Sequence, residues 1–195
     1  INDLEEFFYN EHNISHNQLK FEVFNLKDVK FASLIDKVKN VEEMKQSVRC
    51  HEVQYSKFHW WWNEDKTYDY YYWIDAGIMD TVPYQHLVTK DVISEFPKFS
   101  NPFLFLSFPY DTETEIHGFD IQKMKQYAGN RKVTNVCRGG IFGGHIDQLS
   151  EANADYYHLL ESSLNKNLMG TEESIFSIMA TIKPYVYRRF QLNKD

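Results

Sequence analysis

The stretch Asp69-Tyr70-Tyr71-Tyr72-Trp73-Ile74-Asp75-Ala76-Gly77 decides the fold class. Tyr70 to Ile74 form an unbroken run of large, β-favouring side chains, which predicts a strand buried on both faces, as in the middle of an α/β sheet. Phe103-Leu104-Phe105-Leu106, bounded by Pro102 and Pro109, is a second run of this kind. Val133 to Phe142 reads as a third strand region, interrupted at Gly139-Gly140. A shorter strand is expected over Phe21, Val23, Phe24 and Leu26, closing on Lys27-Asp28.

Helical spacing fills the intervals. Leu34, Ile35, Val38, Val41 and Met44 recur three and four apart between Phe31 and Val48, and Tyr55, Phe58, Trp61 and Trp62 continue the pattern. Val88 to Phe96 reads as a short helix. Ser150 to Asn165 carries Leu160 and Leu164 on the face of Tyr156, with Leu149 just ahead. A last helix opens at Thr171 and stops before Pro184. Helices that alternate with buried strands give an α/β class with a central mixed sheet flanked by helices.

Composition narrows the function classes. The 195 residues are 43% hydrophobic, 25% charged and 16% aromatic, with a net charge of −7. That is the profile of one globular domain spanning residues 1–195. No apolar run approaches the length of a membrane span, and no dense Lys/Arg block suits duplex nucleic acid. The expected partners therefore exclude nucleic acid and the expected location is cytoplasmic, at most peripheral to a membrane. The chain opens on Ile1 in mid-pattern, which reads as a trimmed start. Cys50 and Cys137 stand far apart with no C-x-x-C pairing, favouring thiols over a disulfide.

Three features carry candidate chemistry. Asp75 ends an apolar strand and Gly77 permits a sharp turn, the place where α/β sheets bind ligands. A carboxylate there suits a hard divalent cation or, more simply, a turn. In Arg138-Gly139-Gly140-Ile141-Phe142-Gly143-Gly144-His145, half of the chain's 8 glycines fall within six positions. They match neither the phosphate loop nor the dinucleotide fingerprint. A β-bulge or hairpin explains one pair, while two pairs flanked by Arg138 and His145 also suit a ligand. In Gly170-Thr171-Glu172-Glu173, Thr171 is a natural N-cap with acidic residues in the first turn, and either carboxylate also suits a site as a base. Phe58 to Trp62, which reads as core plus a rim where a Trp suits a sugar ring, and His117 and Asp120 are weaker candidates. No Ser-His-Asp, H-E-x-x-H or zinc-type cluster is present.

The Trp73-Ile74-Asp75-Ala76-Gly77-Ile78 core resembles that of the HtrL/YibB family of glycosyltransferase-like proteins. Lys57, Arg138 to Gly144 and Gly170 to Glu173 follow in the family's order, so the resemblance spans Ser56 to Met179. It implies a GT-A-like, Rossmann-type fold and transfer of a sugar from a nucleotide-sugar donor to a glycan hydroxyl. A non-catalytic module binding nucleotide sugars or carbohydrate on that scaffold is the alternative. The implied donor-binding residues are Lys57, Asp75, Ala76, Gly77, Arg138, Gly139, Gly140, Gly143 and Gly144. Glu172 or Glu173 is the implied catalytic base or acceptor contact. GT-A enzymes hold Mn²⁺ or Mg²⁺ on a D-x-D motif, but the third position here is Gly77. The resemblance then leaves metal on Asp75 with His145 or water, or no metal, with Arg138 or Lys57 compensating the diphosphate charge.

Overall fold

The computed structural model describes residues 9–10, 15, 21–28, 32–35, 48–62, 67–75, 77, 97–98, 103–109, 121–168 and 171–191. In chain order these form α1 (Ala32–Ile35), α2 (Val48–Trp62), β1 (Tyr70–Ile74), β2 (Phe103–Pro109), α3 (Ile121–Tyr127), β3 (Asn135–His145), α4 (Ile146–Leu164), α5 (Glu172–Ile182) and β4 (Tyr187–Gln191). The fold is α/β. Its four-stranded mixed sheet runs β1-β3-β2-β4, antiparallel at β1/β3 and β2/β3 and parallel at β2/β4.

The Phe-Leu alternation of β2 fills both sides of the sheet. Phe103 and Phe105 face the helices, while Leu104 and Leu106, on the opposite pleat, are also buried. On the helical face Phe58 of α2 is the hub. Its ring stacks on Phe103 at 6.0 Å, Phe142 at 5.1 Å and Tyr156 of α4 at 4.6 Å, and meets Phe176 of α5 edge-on at 5.7 Å. Offset and edge-to-face rings add attraction beyond their buried area, so much of the aromatic content is core.

Several expectations need correction. β1 is the end strand of the described sheet, not a central one, and its residues are half-buried except Ile74, which is exposed. Tyrosine tolerates this because its ring packs while its hydroxyl stays near polar partners; Tyr71 Oη, for example, accepts the Tyr68 N–H at 2.9 Å. β3 is a single strand through both glycine pairs, and the interruption expected at Gly139-Gly140 is a shift of register against β2. Residues 21–25 form no strand: Val23 and Phe24 are exposed, and Leu26–Asp28 is a 3₁₀ turn.

α2 begins at Val48, well before Tyr55, and α4 begins at Ile146 because the His145 ring accepts the Asp147 N–H at 3.3 Å and caps it. The final helix matches its expected span. Thr171 holds the N-cap backbone position, but its hydroxyl makes no cap bond, and the Ser174 N–H goes to the Thr171 carbonyl at 3.1 Å instead. Cys50 and Cys137 form no disulfide. Residues 36–47 of the first expected helix and the helix expected over Val88 to Phe96 lie outside the described residues. Among the described residues no helix is long and apolar enough to cross a membrane.

Candidate functional site

The site begins with a change of register. β2 and β3 pair Phe105 with Phe142, then Ser107 with Cys137, so β3 carries a bulge between them at Arg138–Ile141. A bulge turns backbone groups away from the ladder. Here the Gly139 carbonyl accepts the Lys57 ammonium at 3.0 Å, and the Gly139 N–H donates to Glu173 Oε1 at 3.1 Å. Two residues back, the Cys137 N–H donates to Ser177 Oγ at 2.9 Å.

Elementary geometry makes this docking work. Positions two apart on a strand and four apart on a helix are both spaced at roughly 6 to 7 Å. Cys137 and Gly139 therefore meet Ser177 and Glu173 in antiparallel order. A Cβ at Gly139 would stand 2.9 Å from Glu172 Cδ, and nearer still to Oε1, so a larger residue there displaces the Glu172 carboxylate.

Lys57 is the centre of the cluster. It projects from the buried half of α2, where Tyr55, Ser56 and Phe58 are also sealed from solvent. Its Nζ donates to Asp75 Oδ2 at 2.9 Å, Glu172 Oε1 at 3.0 Å and the Gly139 carbonyl. An ammonium has three hydrogens, so these bonds saturate it. Burial pulls the Lys57 pKa down, but the Glu172 and Asp75 carboxylates overcome that pull and leave it above the usual lysine value.

Asp75 is fixed from three sides. Asp75, one residue past β1, lies at i+2 from Trp73, so the indole Nε1–H reaches Asp75 Oδ1. The Asp75 N–H donates to the Gly140 carbonyl at 2.8 Å, and Lys57 holds the other oxygen. Arg138 Nε lies 3.2 Å from Glu173 Oε1. Exposure separates the roles. The side chains of Asp75 and Arg138 keep 37% and 29% of their surface in solvent, against 6% for Lys57, 5% for Glu172 and 14% for Glu173.

Behind Glu172 lies a second group of polar side chains. His51, Tyr55, Tyr156 and Thr171 are all buried, and among the described residues both tyrosine hydroxyls, Thr171 Oγ1 and Glu172 Oε2 have no hydrogen-bond partner. Burial raises the tyrosine pKa values well above the ordinary range, and the Glu172 charge raises both further. Burial lowers that of His51, partly opposed by Glu172.

The remaining expected residues fall elsewhere. Gly143 and Gly144 lie in the ladder opposite Tyr72 and Tyr71, and a Cβ on Gly143 would sit 2.7 Å from Tyr72 Cα. They serve strand packing there. His145 pairs with Tyr70, five register positions from Asp75, a separation of roughly 16 Å along the strand. The two cannot share a metal ion. Among the described residues no three His, Cys, Asp or Glu side chains converge as metal ligands. The Lys57 ammonium stands against Asp75 Oδ2, so the carboxylate does not suit a divalent cation while that charge is in place.

Gly77 is exposed in a turn beyond β1, whereas Ala76, Gly170, His117 and Asp120 lie outside the described residues. His59 sits half-buried on α2; the side chains of Trp60 to Trp62 are not among those described.

Known proteins add no parallel. No family model, curated protein or solved structure matches the chain. The cluster therefore has to be read from its own chemistry. Sequence reasoning missed Trp73 as a holder of Asp75, although the i, i+2 spacing carried that signal. It also missed Ser177, four residues from Glu173, and the polar group of His51, Tyr55 and Tyr156, for which no local motif exists.

Proposed function

We propose that the chain is a glycosyltransferase of GT-A-like fold, moving a sugar from a nucleotide-sugar donor to a glycan hydroxyl. One observation carries this. Lys57, Asp75, Gly139, Glu172 and Glu173, the residues of the family resemblance, lie up to 116 positions apart yet join in one hydrogen-bonded cluster at the carboxyl end of β1. The ends of sheet strands are where α/β folds bind ligands. In this reading Asp75 and Arg138, the exposed members, meet the donor: the carboxylate takes its hydroxyls and the guanidinium offsets charge on the departing diphosphate. Glu172 is too enclosed to meet a glycan, so the acceptor proton falls to Glu173. Lys57 and Glu172 are positioning residues.

The test is release of nucleoside diphosphate from a panel of nucleotide sugars and acceptors, by wild type and Asp75→Ala. Loss of turnover in the variant is expected, and equal turnover by both would remove Asp75 from the assignment. One feature favours a second reading, a binding module without catalysis: Lys57 is saturated and Glu172 is sealed. That module predicts calorimetric binding of a nucleotide sugar with no transfer or hydrolysis.

A further inference from the structure

The oxygens around Lys57 have the composition of a hard-cation cage. Asp75 Oδ2, Glu172 Oε1 and the Gly139 carbonyl come from three separate elements and converge on one point at 2.9 to 3.0 Å. Those are ammonium distances, longer than the roughly 2.0 to 2.6 Å that Mg²⁺ or Ca²⁺ requires. Two carboxylates balance a divalent charge, and a single ammonium balances only half of it. Among the described residues Glu172 Oε2 is buried without a hydrogen-bond partner, so a further donor oxygen stands beside the three in use. Glycine at 139 is what allows Glu172 to stand this close to the strand.

We propose that the Lys57 ammonium is a tethered substitute for a divalent cation, and that the same cage takes a divalent ion when the side chain is removed. For the wild-type protein, the consequence is that the site needs no added metal to engage a nucleotide diphosphate. Only that consequence rests on the donor-site reading.

The test is Mn²⁺ titration of the whole chain by electron paramagnetic resonance, without donor, together with thermal unfolding with and without Mn²⁺. Wild type should show no Asp75-dependent Mn²⁺ binding. Lys57→Ala should bind Mn²⁺ at least about tenfold more tightly than wild type. Its unfolding temperature should rise with Mn²⁺, and Lys57→Ala/Asp75→Asn should lose both effects. Mn²⁺ binding by wild type that Asp75→Asn abolishes would overturn the proposal. So would a Lys57→Ala chain indifferent to Mn²⁺ in both measurements, whether it is folded or remains unfolded with the ion present. A donor titration with and without chelator separates the two readings. Absence of donor binding counts against the donor site, whereas donor binding by wild type that requires Mn²⁺ counts against the tethered cation.

Discussion

At Lys57 the central energetic question is what a buried charge does when its partner is lost. Lys57 and Glu172 are both almost fully enclosed, so removal of Lys57 leaves the Glu172 charge uncompensated away from water, whereas removal of Glu172 leaves Lys57 with Asp75 alone. Lys57→Met is expected to lose about 3 to 5 kcal/mol of stability in urea denaturation. Lys57→Met/Glu172→Leu should lose clearly less than the two single changes added together, because no buried charge is then left alone. Additive losses would mean that the pair is solvated.

The two tyrosines behind Glu172 reverse the usual expectation for a buried hydroxyl. Neither Oη has a partner among the described residues, so Tyr55→Phe and Tyr156→Phe should be neutral or raise the unfolding temperature. Losses above about 1 kcal/mol would show that the hydroxyls do find partners. At Gly139, an added methyl group would press on the Glu172 carboxylate, and Gly139→Ala should lose about 1 to 3 kcal/mol in the same denaturation measurement.

At the scale of elements, β3 and α5 form the unit that builds the site. Ser177 Oγ accepts the buried Cys137 N–H and donates to the Glu173 carbonyl at 2.6 Å. Ser177→Ala strands that N–H and should lose about 1 to 3 kcal/mol in thermal unfolding. Little change would mean that the bulge is held by Glu173 alone.

The sequence allowed part of this to be read. The Phe-Leu run of β2 and the span of α5 were legible because apolar pattern and capping signals are local. The glycine pair at 139–140 was legible as a bulge but not as the bulge that frees backbone groups for Lys57 and Glu173. That role depends on the pairing of β3 with β2, set by residues more than 30 positions away. β1 looked central because Tyr and Trp read as apolar, although their polar atoms suit an end strand. β4 was missed because the Arg188-Arg189 pair at its centre hides the pattern of Tyr187 and Phe190. Asp75, Gly139, Glu172 and Glu173 were legible as candidates each in its own segment, whereas Lys57 was named only through the resemblance. The geometry of the cluster was not legible, since no spacing rule links positions 57, 75, 139 and 172.

At the scale of the whole molecule, the buried titratable groups confine the folded state to a pH window. On the acid side, His51 has its pKa lowered from 6.5, chiefly by burial. A lowered folded pKa contributes stability that is present above the unfolded value and lost as pH falls through 6.5 toward the folded one. The loss should begin before the ordinary carboxylate range, near about pH 4, is reached. His51→Gln should flatten that part of the profile.

On the alkaline side Lys57 has a raised pKa, so its contribution is complete below 10.5 and disappears as pH climbs through its folded value. Tyr55 and Tyr156 act in the same direction. Their pKa values lie well above 10.0, so above that pH the unfolded chain gives up protons that the folded chain keeps. Each such group lowers stability by up to about 1.4 kcal/mol per pH unit. Urea denaturation across the pH range should therefore show a gentle acid decline and a steep alkaline one. Tyrosinate absorbance from Tyr55 and Tyr156 should appear together with unfolding and not before it. If these two tyrosines titrate while the chain is still folded, the compartment behind Glu172 is open to solvent, and the steep alkaline limb should vanish with it.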